Sequence, residues 1–220
     1  MTVKALQRAL QQRIPNASLC KTSLPLCPSI QLWLLNPDYP QWALDPRDAA
    51  ALMDEPPYWS FCWASGQVLA RYLLDNPALV RDKTLVDFGA GSGVVAIAAK
   101  QAGAAVCWAL DSDPLALAAC AVNANLNQVS LCYASDLDQL PPADIVTLAD
   151  VFYDADNLPL LAQLKPEFEL QIIADSRRKA SDFKNFTAHS SVRSHTVPDL
   201  DESSEFRQVT IYTQAWSTQR

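Results

Sequence analysis

Three glycines at 89, 91 and 93 stand directly after the short apolar run Thr84–Phe88 and directly before a helical pattern carried by Val95, Ala98 and Ala99, which Gly103 ends. No other feature limits the fold of this chain as much. Glycine admits backbone torsions closed to other residues and lets a ligand approach the main chain where the helix begins. A strand, a glycine turn and a helix in that order form the opening unit of a doubly wound α/β sheet. The pattern of a dinucleotide site is GxGxxG, but position 94 is Val, and Asp87 stands two residues ahead of the first glycine. A carboxylate there suits a cation better than a pyrophosphate. The plain alternative for a glycine cluster taken alone is a tight structural turn.

The rest of the chain repeats the alternation. A second strand is predicted over 105–110, with a helix from Asp113-Pro114 to about Asn125, a third strand over 129–133, a fourth over 144–149 and a fifth over 168–174. Strands joined by helical crossovers make a parallel sheet. Two more strands, around 191–197 and 206–215, are separated only by the polar turn Asp199-Leu-Asp-Glu-Ser-Ser204, too short for a crossover helix. The expected fold is therefore α/β: a seven-stranded Rossmann-like sheet, mostly parallel and closed by a C-terminal antiparallel hairpin, which resembles the methyltransferase version of that fold rather than the dehydrogenase version. Ahead of it, Ser65 is a candidate N-cap for a helix from Gly66 to Asn76 with Val68, Leu69, Tyr72 and Leu73 on one stripe.

The 15 prolines lie mainly in the first sixty residues and in short connections, which predicts an irregular N-terminal region. The division expected is an extension over 1–64, packed on the domain and covering the cofactor site, and a single methyltransferase unit over 65–220. Lys4, Arg8, Arg13 and Lys21 precede the first acidic residue, Asp38, as in a mitochondrial transit peptide. Leu6, Leu10 and Ile14 followed by Pro15 fit an amphipathic packing helix better.

At 220 residues and 50% hydrophobic, the chain can bury one full core, and a monomer is expected. A net charge of -7 argues against nucleic acid and for a basic or neutral partner. No apolar run reaches the roughly 20 residues of a bilayer span, so no membrane partner is expected. Six cysteines without a CxxC pair and only two histidines, His189 and His195, exclude structural zinc, and no metal site is expected. Reduced thiols place the chain in a cytosol-like compartment, with the mitochondrial matrix as the alternative.

Asp87 beside the glycine turn fits S-adenosylmethionine, which carries an ammonium and a sulfonium but no phosphate. The second strand ends in Leu110-Asp-Ser-Asp113-Pro, which puts Asp111 about twenty residues beyond the turn, where a carboxylate can take both ribose hydroxyls. Ser112 joins Gly89, Gly91 and Gly93 in this cofactor set. Asp136, just past the third strand, is placed to accept from an adenine amino group, or else is an ordinary loop aspartate. Ligands in open α/β sheets sit outside the carboxyl ends of the strands, so the Asp150–Tyr153 segment after the fourth strand should line the acceptor side; the alternative is an aromatic lid on the core.

Pro57-Tyr-Trp-Ser-Phe-Cys-Trp-Ala-Ser-Gly-Gln67, Arg71-Tyr-Leu-Leu-Asp-Asn-Pro77, Asp111-Ser-Asp-Pro114 and Asp150-Val-Phe-Tyr-Asp154 together resemble the electron transfer flavoprotein β-subunit lysine methyltransferase family. The resemblance runs over about residues 24–160 and includes Pro28-Ser-Ile-Gln-Leu-Trp-Leu-Leu35, which has no evident catalytic chemistry. Where the family has an Asp-Pro-Gly-Arg turn after the fifth strand, this chain has Asp175-Ser-Arg-Arg178, keeping the Asp and the final Arg. The resemblance implies that Trp63 and Gly66 touch the cofactor, that Asp150 and Tyr153 form the lysine entrance, and that the acceptor is a lysine-bearing protein such as the electron transfer flavoprotein β subunit. Trp59, Trp63, Phe152 and Tyr153 would form an aromatic channel in which Asp150 orients the amine. Three other readings stand beside it: a small-molecule amine N-methyltransferase, a non-catalytic S-adenosylmethionine-binding module, which the intact Asp-Val-Phe-Tyr segment disfavours, and an NAD-dependent oxidoreductase, disfavoured by Val94 and the closing hairpin.

Overall fold

The computed structural model describes residues 1–40, 56–164, 168–199 and 201–215. Residues 41–55 of the expected extension and Leu200 of the expected turn lie outside them. Among the described residues, α1 spans Val3–Arg13, β1 Leu19–Ser23, β2 Gln31–Leu35, α2 Ala64–Asp75, β3 Thr84–Phe88, α3 Val94–Gln101, β4 Val106–Leu110 and α4 Pro114–Leu126. There follow β5 (Cys132–Ala134), β6 (Ile145–Ala149), α5 (Leu160–Leu164), β7 (Leu170–Asp175), β8 (Thr187–Arg193) and β9 (Gln208–Ala215).

Seven strands form one sheet in the order β5-β4-β3-β6-β7-β9-β8, the first five parallel and β9 antiparallel to both its neighbours. This is the expected architecture. Strand period sets its two cores, because successive side chains leave a strand on opposite faces. Leu85 of β3 joins Leu69, Leu73, Val95 and Ile97 on one face, and Val86 joins Leu148, Phe152 and Phe183 on the other. Each such side chain, fully buried, contributes about 1.5–3 kcal/mol. The chain reverses its winding at β3, which pairs with β4 on one side and β6 on the other. A crevice opens outside the carboxyl ends of strands at such a switch point.

The N-terminal region is more regular than its prolines suggest. β1 and β2 make an antiparallel hairpin, Leu19 opposite Leu35, and Pro25 and Pro28 fall in the connection, where no ladder hydrogen bond is needed from them. α1 buries Leu6 and Leu10 completely, against Ala116, Ala119 and Val122 of α4. Asn123 and Asn127 of α4 attach the hairpin to the sheet domain. The Trp33 N–H donates to Asn123 Oδ1 at 2.7 Å and the Gln31 N–H to Asn127 Oδ1 at 3.0 Å. Asn123 Nδ2 in turn donates to the Ser92 carbonyl at 2.9 Å, in the glycine turn itself.

Most boundaries fall within two residues of expectation, and three differences have a visible physical reason. α2 starts at Ala64 with Trp63 as N-cap, so Ser65 is not the cap. β5 begins at Cys132, because the Val129 N–H still donates to Ala124 O and closes α4. β8 is Thr187–Arg193, and Val197 instead bridges Cys62, each N–H donating to the other carbonyl at 2.8 Å. All six cysteines are free, with Cys107 and Cys120 in the core and Cys132 half-buried. Among the described residues no helix is long and apolar enough to cross a membrane, and no group of three His, Cys, Asp or Glu is placed to hold a metal.

Candidate active site

A cavity of about 740 Å³ lies at the switch point, outside the carboxyl ends of β3, β4 and β6. One wall is main chain. Gly89 and Gly91 have φ of +68° and +52°, the left-handed region that glycine enters without strain. Their turn is anchored on the next strand: the Gly89 and Ala90 N–H groups donate to Leu110 O at 2.9 and 3.1 Å, and the Gly91 N–H donates to Asp111 Oδ2 at 2.9 Å. Asp111 Oδ1 accepts the Asp113 N–H at 3.0 Å, and Asp113 caps α4 by accepting from Leu115 N–H. Burial raises the Asp111 pKa, opposed by those two N–H groups. Asp111, Ser112 and Asp113 all line the cavity. A carbon added at Gly91 would meet nothing nearer than Gly89 O at 3.9 Å, so this stretch of backbone lies open.

The opposite wall is aromatic and comes from distant segments. Tyr58 sits 5.6 Å from Trp63 and 5.8 Å from Tyr153, centroid to centroid, and Tyr153 is 54% exposed at the mouth. The Trp63 Nε1–H donates to Tyr58 O at 3.1 Å, so that segment is tied to itself and the ring faces are left to the cavity. Asp150, in a left-handed conformation at φ +54°, follows β6. Its Oδ1 accepts the Ser65 hydroxyl at 2.6 Å and its Oδ2 the Ser65 N–H at 3.2 Å, so the carboxylate satisfies a first-turn donor of α2. Burial of this carboxyl pushes its pKa up to about 7; the two Ser65 bonds oppose that and neighbouring Asp175 adds to it. Burial also raises the Tyr153 pKa, with Tyr58 contributing.

Of the residues expected at the site, Trp63, Gly89, Gly91, Asp111, Ser112, Asp150 and Tyr153 line the cavity, and Asp87, Gly66, Gly93 and Asp136 are not among its lining. Asp87 is 2% exposed behind the turn, where Oδ2 accepts the Ala96 N–H at 3.1 Å and Oδ1 the Thr147 hydroxyl at 3.1 Å. Burial pushes its pKa up to about 7, and its bond to the Ala96 N–H supports α3 from beneath. Gly93 lets α4 approach: a carbon there would stand 3.1 Å from Cys120 Sγ and 3.2 Å from Cys120 Cα. Gly66 does the same for α3, with Val94 Cγ1 at 3.1 Å. Asp136 is exposed and caps its own turn by accepting from Asp138 N–H at 3.1 Å. The expected aromatic channel is also corrected. Phe152 is fully buried in the core, 5.6 Å from Phe183, and Tyr58 occupies the place expected for it. Trp59 does line the cavity but is 1% exposed and packed under α4.

Among the lining residues that sequence reasoning passed over, Tyr58, Asp113, Asn157 and Arg177 carry polar groups. Tyr58 lay inside the Pro57–Gln67 segment already singled out, and no periodic signal separates it from its neighbour Trp59. Arg177 comes from the turn after β7, its Nη2 on Glu202 Oε1 at 2.6 Å and its guanidinium 4.3 Å over the Phe206 ring.

The family model of ribosomal protein L11 methyltransferase (PrmA) matches residues 68–154. The electron transfer flavoprotein beta subunit lysine methyltransferase of Mus musculus is 43% identical over 145 residues, 63% of this chain and 56% of that protein. The chain thus spans about half the length of that curated relative. The homolog in Caenorhabditis elegans is 34% identical over 179 residues, covering 73% of this chain and 71% of its own. Among solved structures, the ribosomal protein L11 methylase of Lactobacillus delbrueckii subsp. bulgaricus superposes with a TM-score of 0.54 at 21% identity, over 70% of this chain and 79% of that one, which shows a shared fold.

Proposed function

Because the chain belongs to the electron transfer flavoprotein β-subunit lysine methyltransferase family, we propose that it methylates lysine side chains of a protein, the electron transfer flavoprotein β subunit first among candidates, using S-adenosylmethionine. The observation that carries this reading is one cavity with two unlike walls. An open glycine backbone with Asp111 and Ser112 stands on one side, and three aromatic rings with the half-buried Asp150 carboxylate stand on the other. The donor set fits the cofactor: the Asp111 carboxylate keeps lone pairs for ribose hydroxyls, and the turn leaves room for a ligand against its main chain. Tyr58, Trp59 and Trp63 on the cavity wall support residues 1–64 as a cover for the cofactor site of a domain over 65–220.

When bound, the cofactor supplies an electrophilic methyl on a sulfonium and leaves as a neutral thioether. The protein has to deliver a neutral amine in line with that methyl, so the ammonium, with a pKa of about 10.4 in free lysine, gives one proton to solvent at the open mouth before transfer. Tyr58, Trp63 and Tyr153 attract the incoming cation by their ring faces, worth about 0.5–2 kcal/mol, and exclude water around it. Asp150, oriented by Ser65 through both oxygens, accepts an N–H of the amine with a remaining lone pair and so aims the nitrogen lone pair at the methyl. The Tyr153 hydroxyl takes a second N–H.

The test is transfer of labelled methyl from S-adenosylmethionine into purified electron transfer flavoprotein, beside a panel of small amines and an Asp150→Ala control. Label in the β subunit, lost in the variant, is the expected result. Label only in small amines moves the activity to another acceptor class, and full turnover by Asp150→Ala removes the role given to that carboxylate.

A further inference from the structure

We infer that Arg178 is the positioning residue of the acceptor wall: its guanidinium sets the Val151–Tyr153 turn, and through it how tightly the protein substrate is taken. This rests on the lysine methyltransferase reading above. The turn cannot hold itself. It starts at a left-handed Asp150 and runs through Phe152 at φ -94°, ψ 17°, outside helical torsions, so its carbonyls lack the partners a continuing helix would supply. Side chains take them instead. Asn157 Nδ2 donates to Val151 O at 2.8 Å, Arg178 Nε donates to Phe152 O, and Arg178 Nη2 donates to Tyr153 O at 3.2 Å.

The arginine is itself held from below. Asp175, 2% exposed at the end of β7, accepts the Arg177 and Arg178 N–H groups on one oxygen, each at 2.7 Å. The Asp150 N–H closes the gap between the two strand ends by donating to Ala174 O at 3.2 Å. The buried Phe152 fixes the middle of the turn, but the Tyr153 ring is 54% exposed and has little packing to fix it. Its station 5.8 Å from Tyr58 therefore depends on where the backbone presents it. One planar fork engages both carbonyls through separate nitrogens at fixed spacing, whereas lysine would offer a single point donor on a flexible stem.

The experiment compares wild type, Arg178→Ala and Arg178→Lys in three readouts: the Kd for S-adenosylhomocysteine, the kcat and KM for electron transfer flavoprotein, and amide exchange over residues 151–157. In Arg178→Ala we expect kcat/KM for the protein to fall about tenfold or more, chiefly through KM, while the Kd changes less than about threefold. Exchange over 151–157 should quicken about tenfold, with Arg178→Lys between the two. Unchanged exchange, or cofactor affinity and melting temperature falling in step with activity in both variants, would overturn the assignment. Should wild type leave the flavoprotein unlabelled, the substrate reading fails alone, and the exchange and Kd readouts still decide the role of Arg178.

Discussion

The two walls of the cavity are built in different ways. The cofactor wall comes from two adjacent strand ends in register, Phe88 opposite Leu110, and nearly every bond in it runs from a main-chain N–H to a carbonyl or to Asp111. The acceptor wall comes from the segments around residues 58–65, 150–157 and 175–178, held by side chains that reach across long stretches of sequence, Ser65 to Asp150 and Arg178 to Phe152 among them. A wall made of backbone tolerates little change without losing the sheet edge beneath it. A wall made of side chains can be re-cut one residue at a time, and that is where acceptor choice can differ between relatives of one fold.

The sharpest way to break this division is Phe152→Ala. Phe152 belongs to the acceptor segment but packs in the core, so its loss should cost about 3–5 kcal/mol in chemical denaturation. Stability left intact with a raised acceptor KM would return Phe152 to the aromatic channel. Next in size, Asp111→Ala should weaken S-adenosylhomocysteine binding by about 1.5–3 kcal/mol, roughly 10- to 150-fold, measured by calorimetry, and leave the acceptor KM alone. An equal loss for both ligands would mean that the walls do not act separately.

The smallest effect, taken per unit of pH, is read from titration. Asp87 behind one wall and Asp150 in the other both have pKa values pushed from 3.8 to about 7 by burial. Between those values the folded chain holds protons on these two groups that the unfolded chain releases, so their contribution to stability is full below about pH 4 and is lost as pH rises toward 7. Each group contributes at most about 1.4 kcal/mol per pH unit. Asp87→Asn should flatten the slope of ligand-free unfolding by one group. An unaltered slope would place the titration elsewhere.

Much of the cofactor half was legible in the residue order. Strand β3 falls on the expected residues, and Gly89, Gly91 and Asp111 line the cavity as expected. Period-2 burial and positive φ are local demands, visible wherever a chain must meet them. Asp87 shows the limit of that logic. Its spacing from the turn suggested a group facing the cofactor, but a strand residue faces one of two sides, and here the side is that of Ala96 and Thr147 rather than the cavity. The N-terminal hairpin was missed because proline content was weighed without asking whether the prolines fell in the strands or between them.

In the acceptor half, the residue order marked the right segments and left open which side chain of each would face the cavity. Tyr58 and Trp59 are adjacent, as are Phe152 and Tyr153, and each pair sends one ring outward and one inward. A non-periodic turn carries no repeat from which direction can be read. Direction there follows from partners 26 to 85 residues away, Arg178 on Phe152 O and Ser65 on Asp150, which meet only after the sheet has brought the ends of β6, β7 and the start of α2 together. Local chemistry thus marked the strands of the main sheet and the glycine turn, and the resemblance of whole segments pointed to the family. Long-range packing settled which residues of that chemistry look into the cavity, because only there does each side chain find, or fail to find, the group that holds it.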